Sequence, residues 1–151
     1  MTEIKLTQGK VALVDDEDFE YLNQWKWHAH KEYQTYYALR QSYSEFGKRT
    51  IQRMHHVVLG KPTSGLECDH RDGNGLNNQR DNLRIVTKRQ NAQNRHHPKS
   101  SQYPGVCKYR NQWIVRIRVN GGRKFLGGFN DEIAAFNAYR NAVEKIGENI
   151  L

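Results

Sequence analysis

Residues 65–94 read GLECDHRDGNGLNNQRDNLRIVTKRQNAQN. Two short apolar pieces, LEC and LRIVT, flank a long run of Asn, Asp and Gly. The apolar pieces suit short strands, and the polar run suits a loop because Asn, Asp and Gly favour turns. Thr87 can cap a helix that continues through Asn94. The stretch is thus predicted as strand, loop, strand, helix. Side chains alternate along a strand, so Asp69 and His70 point to opposite faces.

Around this stretch the chain has 151 residues, with 24 Lys plus Arg against 16 Asp plus Glu. That length allows one domain or two small ones. The 36% apolar content and a mean hydropathy of −0.94 argue against a membrane protein. MTEIKLTQGK at the N-terminus has no apolar stretch of the signal-peptide kind, and a cytoplasmic protein, of a bacterium or a phage-infected host cell, is expected. Cys68 and Cys107 form no CxxC pair, so no structural zinc and no disulfide are expected.

The charge is uneven. Residues 1–50 carry 7 basic and 8 acidic side chains, whereas residues 51–100 carry 9 and 4. From Arg80 to Lys124 there are 12 basic residues and one acid, Asp81. A polyanion fits such a stretch, since Lys and Arg on phosphates release counterions. Solvation alone would also accommodate a basic face, but Tyr103, Tyr109, Trp113 and Phe125 lie among the charges and favour nucleic acid.

Before residue 65, EIKLT and KVALV read as strands around Gln8-Gly9. A helix follows, capped by Asp15 or Asp16, with Phe19, Leu22 and Trp25 or Lys26 at helical spacing. TYYALRQ and KRTIQR form a predicted hairpin across Glu45-Phe46-Gly47. Residues 54–59 allow one helical turn or two. Trp25 and Trp27 are expected in the core. Residues 96–104, HHPKSSQYP, read as a basic linker. Beyond it, GVCKY, QWIVRIRV and RKFLGGF read as three strands. In the middle one Trp113, Val115, Ile117 and Val119 alternate with Ile114, Arg116 and Arg118. Asn120-Gly121-Gly122 is a hairpin signal. Asn130 is the predicted cap of a last helix with an apolar stripe of Ile133, Ala134, Phe136, Ala138, Val143 and Ile146, stopped by Gly147.

The residues Asp69-His70, Gly73-Asn74, Asn82-Leu83-Arg84 and Asn91, with 12 residues from His70 to Asn82 and 9 from Asn82 to Asn91, resemble the HNH nuclease family in its H-N-N sub-group. A turn-rich loop alone would explain the Asn, Asp and Gly, but not His70 or Asn91. The resemblance implies a ββα-metal fold. Asp69 and Asn91 would ligate one divalent cation, Mg²⁺ or Mn²⁺, through hard oxygen donors. His70 would be the general base, and its ordinary pKa of about 6.5 suits that role. Asn82 would hold the loop that steers His70. His55 matches the first position of a His-Arg pair common in the family, as a candidate for phosphate contact or site packing, while His56 departs from it. Residues 4–59 resemble the leader of phage-type HNH proteins and contribute no catalytic residue.

Residues 103–146 resemble the plant ethylene-response-factor (ERF) type DNA-binding domain. The resemblance rests on Tyr103, Gly105-Val106, Trp113, Ile117-Arg118, Leu126-Gly127, Phe129 and Ala134-Ala135 with Ala138-Tyr139. It implies that the sheet enters the major groove of double-stranded DNA, using Cys107, Tyr109, Arg116, Arg118, Arg123 and Phe125. Arginine can bond guanine O6 and N7 together. Lys108, Arg110 and Lys124 would reach phosphates.

The expected architecture is therefore α+β. A strand-rich leader and nuclease domain span 1–95, with the ββα-metal motif at 66–95. The linker occupies 96–104, and a three-stranded antiparallel sheet on one helix spans 105–151. The expected function is a sequence-recognising, metal-dependent DNA endonuclease of the homing or phage type, acting as monomer or homodimer. The alternative is a DNA-binding regulator with a non-catalytic HNH scaffold.

Overall fold

The computed structural model describes residues 1–94, 100–148 and 150. The chain divides into two units, 1–94 and 95–151. Both are built from small antiparallel sheets with short helices.

In the first unit, β1 (Thr2–Lys5) and β2 (Val11–Val14) form a hairpin closed by a 3-10 turn at Thr7–Gly9. Ile4, Ala12 and Val14 turn into the core. α1 (Asp16–Asn23) follows, and Asp16, Glu17 and Asp18 in its first turn complement the helix dipole. Asp15 is the N-cap residue, but its carboxylate does not cap. It accepts instead from the Arg80 backbone N–H at 2.8 Å and from Gln79 Nε2 at 3.2 Å, fastening a distant loop. The helix ends before Trp25, whose ring is covered by the Arg40 guanidinium at 4.1 Å. Trp27 is fully in the core, and its indole N–H donates to Leu22 O.

The next sheet has the order β3 (His28–Glu32), β4 (Thr35–Tyr43), β5 (Arg49–Arg53). The β4–β5 hairpin matches the expectation. β3 carries the sequence HAHKE, which has no apolar alternation to announce an edge strand, and it went unpredicted. α2 (Met54–Leu59) buries Met54, His55 and Val58.

β6 (Leu66–His70) then pairs with β7 (Leu83–Thr87), with Asp69 opposite Arg84 and His70 opposite Leu83. α3 (Lys88–Gln93) starts from a complete capping box. Thr87 Oγ1 accepts from the Gln90 N–H, and the Gln90 side chain accepts from the Thr87 N–H. The loop 71–82 is docked on the edge of β2: Leu13 N donates to Leu76 O at 2.8 Å, and Asn78 N donates to Leu13 O at 2.7 Å. The core thus joins the first hairpin (Ile4, Val14), α1 (Leu22), α2 (Met54, Val58) and β7 (Leu83).

In the second unit β8 (Val106–Tyr109), β9 (Gln112–Val119) and β10 (Gly122–Phe129) pair in the order β10-β9-β8, and α4 (Glu132–Lys145) packs on one face. Val115, Ile117 and Val106 meet Ala135, Tyr139 and Val143 there. Two expectations need correction. The cap is Asp131, whose Oδ2 accepts from the Ala134 N–H at 2.7 Å, not Asn130. Ile133 and Ala134 are exposed, because the sheet selects the helix face of Ala135, Tyr139 and Val143, at i, i+4 and i+8. Of the expected linker, residues 96–99 lie outside the described residues. Residues 101 and 103 pack into this unit: Ser101 Oγ donates to Glu132 Oε1 at 2.7 Å, and Tyr103 stacks on Phe136 at 4.5 Å. His96 and His97 also fall outside the described residues.

Gly75 is where loop 71–82 meets β4. A Cβ there would stand 2.5 Å from Tyr36 O and 2.6 Å from Tyr37 Cε1. Gly75→Ala is expected to destabilise the protein by about 1–3 kcal/mol through overpacking. Thermal unfolding of the variant beside wild type measures it.

Candidate active site

β6 divides the chemistry between its two faces. Glu67 and Asp69 share one face, while Leu66, Cys68 and His70 share the other.

On the first face Asp69 is buried, and both its oxygens are engaged. Arg84, directly across the ladder, donates from Nε at 2.8 Å and from its terminal nitrogen at 2.7 Å to Oδ2. Asn94 Nδ2 donates to Oδ1 at 3.1 Å and to the His70 carbonyl at 2.8 Å. Asn91 Nδ2 donates to Glu67 Oε2 at 2.6 Å. Asn91 in α3 and Asn94 at its C-cap lie three apart, so the end of the helix faces the Glu67–Asp69 edge of the strand. The expected metal pair, Asp69 and Asn91, therefore shares this face, but the amide that bonds Asp69 is Asn94. A carboxylate and an amide oxygen are hard donors, which fits Mg²⁺ or Mn²⁺. Among the described residues no three His, Cys, Asp or Glu side chains gather as a ready cation site.

On the second face His70 is 5% exposed. Its ring stands 5.0 Å from His55 and 5.7 Å from Tyr37, and His55 also packs edge-on against Tyr37 and His56. α2 thus delivers His55 to His70, and β4 delivers Tyr37. Burial is the main influence on the His70 ring and holds its pKa below the ordinary histidine value, against the opposing pull of Asn78, Asp72 and Asp69. Burial, then the neighbouring His70, pushes His55 down to about 2. Both rings are neutral at pH 7. His70 Nε2 and Asn78 Oδ1 are buried without a hydrogen-bond partner among the described residues, although Asn78 lies near enough to favour the charged ring. An imidazole nitrogen kept neutral, buried and unpartnered can accept a proton.

Asn82 ties the loop between the strands. Its Nδ2 donates to Asp72 Oδ1 at 3.0 Å and to Asn77 O at 2.8 Å, and its Oδ1 accepts from the Asp72 N–H at 3.1 Å. Burial raises Asp72, but bonds from Asn77, the Asn74 N–H and Asn82 outweigh it and lower its pKa. The sequence reading missed Glu67, Asn94, Asn78 and Tyr37. The first two had a signal: Glu67 is two positions from Asp69 in a strand, and Asn94 is three from Asn91 in a helix. Tyr37 had none, since the contact joins β4 to β6. Burial raises the Cys68 thiol to about 11, leaving it a packing residue.

In the second unit the ladder sets Arg116 opposite Phe125, Arg118 opposite Arg123, and Tyr109 opposite Gln112. These residues share the face turned away from α4, and all are exposed. Arg110 sits in the β8–β9 turn at φ 52°, its guanidinium 5.5 Å from the Tyr109 ring. Lys124 pairs with Ile117 and so belongs to the helix-side face, at the sheet edge.

Residues 53–93 match the family described as HNH endonuclease. The match points to nuclease activity in general, with DNA as the substrate class the family implies. No curated protein and no solved structure matches the chain. Among the described residues no helix is long and apolar enough to cross a membrane.

The histidine cluster has a consequence for stability. Unfolded, His55 takes up a proton near pH 6.5, whereas folded it resists one down to about 2. Unfolding therefore binds protons in that window, and stability falls as pH drops through it, by at most about 1.4 kcal/mol per pH unit from this ring. Urea unfolding at pH 7 and pH 4.5 should show a smaller loss for His55→Phe than for wild type.

Proposed function

We propose that the protein is a metal-dependent DNA endonuclease of the homing or phage-associated kind, in which the first unit cuts and the second recognises sequence. The observation that carries the reading is the placement of Asp69 and His70 at successive positions of β6, Asp69 bonded by Asn94 beyond α3 and His70 set against the His55 ring, inside the HNH match.

Once Asn78 yields its place beside the ring, a water molecule at His70 would give its proton to Nε2 as its oxygen bonds to phosphorus. The P–O3′ bond then breaks, and the 3′ oxygen takes a proton from solvent water, leaving 5′-phosphate and 3′-hydroxyl ends. Asp69 and the Asn91 amide oxygen would hold the cation, which when bound neutralises charge on the phosphate and on the leaving oxygen. For Asp69 to do so, Arg84 or Asn94 has to yield part of its hold on the carboxylate. Asn82 keeps the loop closed under His70, and His55 and Tyr37 pack the ring in place. Mg²⁺ is the expected ion, with Mn²⁺ a substitute. One motif per chain means that cutting both strands takes two chains or two events.

The ERF-like reading of the second unit is supported by its strand order, its single backing helix, and the exposed face bearing Arg116, Arg118, Arg123, Tyr109 and Phe125. On that reading Arg116 contacts base edges, while Arg110 and Lys124 serve phosphates from the turn and the sheet edge. Base identity does not carry over from the family, because Cys107 and Tyr109 replace its usual basic residues.

Plasmid DNA incubated with Mg²⁺ or Mn²⁺ should be nicked or cut, and EDTA should abolish the cleavage. Tight binding without cleavage under both metals would favour the DNA-binding regulator. His70→Ala should lose cleavage by several orders of magnitude while keeping its DNA affinity. Normal cutting by that variant would remove His70 from the mechanism.

Arg116→Ala is expected to weaken binding to the preferred site by about 1–3 kcal/mol and to relax its sequence preference. Binding isotherms on specific and random DNA measure this. An equal loss on both would make Arg116 a phosphate contact.

A further inference from the structure

We propose that Glu67 is a positioning residue for the cation site, one that fixes the rotation of the Asn91 amide without itself binding the metal. The inference rests on the nuclease reading above and deepens it.

An asparagine amide offers a cation only its oxygen, and the side chain can turn its nitrogen to the same place. A ligand of this kind therefore needs something to hold the group in one of two orientations. Glu67 does so here. It lies on the Asp69 face of β6, and its Oε2 accepts from Asn91 Nδ2 at 2.6 Å, a short charge-assisted bond. A carboxylate cannot accept from the amide oxygen, so the bond selects a single orientation. The nitrogen is committed to the strand, and the oxygen is left for the cation.

The neighbouring contact supports the division of labour. Asn94, one helical step further on, donates its nitrogen to Asp69 in the same sense. The two acids of β6 thus each engage one amide, Asn91 of α3 and Asn94 at its C-cap. Partners that orient a metal ligand in this way commonly contribute tenfold or more to metal affinity.

Mn²⁺ titration of the full chain without DNA, followed by loss of the free-ion EPR signal, tests the proposal independently of cleavage. Glu67→Ala should weaken Mn²⁺ binding about tenfold or more. In an Asn91→Asp background, where either side-chain atom offered to the cation is an oxygen, Glu67→Ala should not weaken Mn²⁺ binding. Thermal unfolding of each variant establishes that it is folded. Glu67→Ala binding as well as wild type would overturn the proposal. A tenfold loss from Glu67→Ala in the Asn91→Asp background would also overturn it, because Glu67 would then be acting as a ligand itself. If wild type binds Mn²⁺ and cuts DNA while Glu67→Ala matches it, this inference alone fails. If wild type does neither, the nuclease reading fails and takes this one with it.

Discussion

The ladder between β6 and β7 fixes the arrangement of the candidate site. Its register sets Arg84 across from Asp69 and Leu83 across from His70. The buried carboxylate therefore has a cation of the protein's own beside it, and the imidazole sits over an apolar neighbour. A buried carboxylate without such a partner would be costly. A slip of one residue would exchange the faces, sending Asp69 toward the histidine cluster and His70 toward α3. The hydrogen bonds of Asn82 resist that slip, since they close the loop joining the two strands.

The loop is held from outside as well. Asp15 gives up capping its own helix to accept from Arg80 and Gln79, and the edge of β2 binds the backbone at Leu76 and Asn78. Gly75 lets the loop approach β4 closely, where its N–H donates to Thr35 Oγ1. The leader is thus a scaffold with a definite task. It supplies Tyr37 and His55 as the wall of the His70 pocket and anchors a loop too polar to anchor itself.

The second unit shows the same economy of means. One strict alternation along β9 gives an apolar face for α4 and an arginine-bearing face for solvent, and cross-strand pairing extends both to β8 and β10. A polyanionic partner suits the second face, because arginine side chains that meet phosphates release their counterions.

The strand–loop–strand–helix order of residues 65–94, the Thr87 cap, the Asn120-Gly121 hairpin and the split of Asp69 from His70 were legible in the sequence, because each follows from turn chemistry or from a period of two over a few adjacent residues. The HNH match at residues 53–93 likewise lies in spacing along the chain. The strand HAHKE was not legible, since an edge strand with polar residues leaves no alternation to read. The phase of α4 was not legible either, because the sheet chooses which stripe of an Ala-rich helix is buried. The sequence offered His55 as a packing residue of the site; tertiary structure alone decided that Tyr37 joins it around His70, that Asn94 rather than Asn91 bonds Asp69, and that Glu67 takes the Asn91 nitrogen. Those contacts join elements distant in sequence, and packing, not local propensity, sets which of several eligible amides meets which acid.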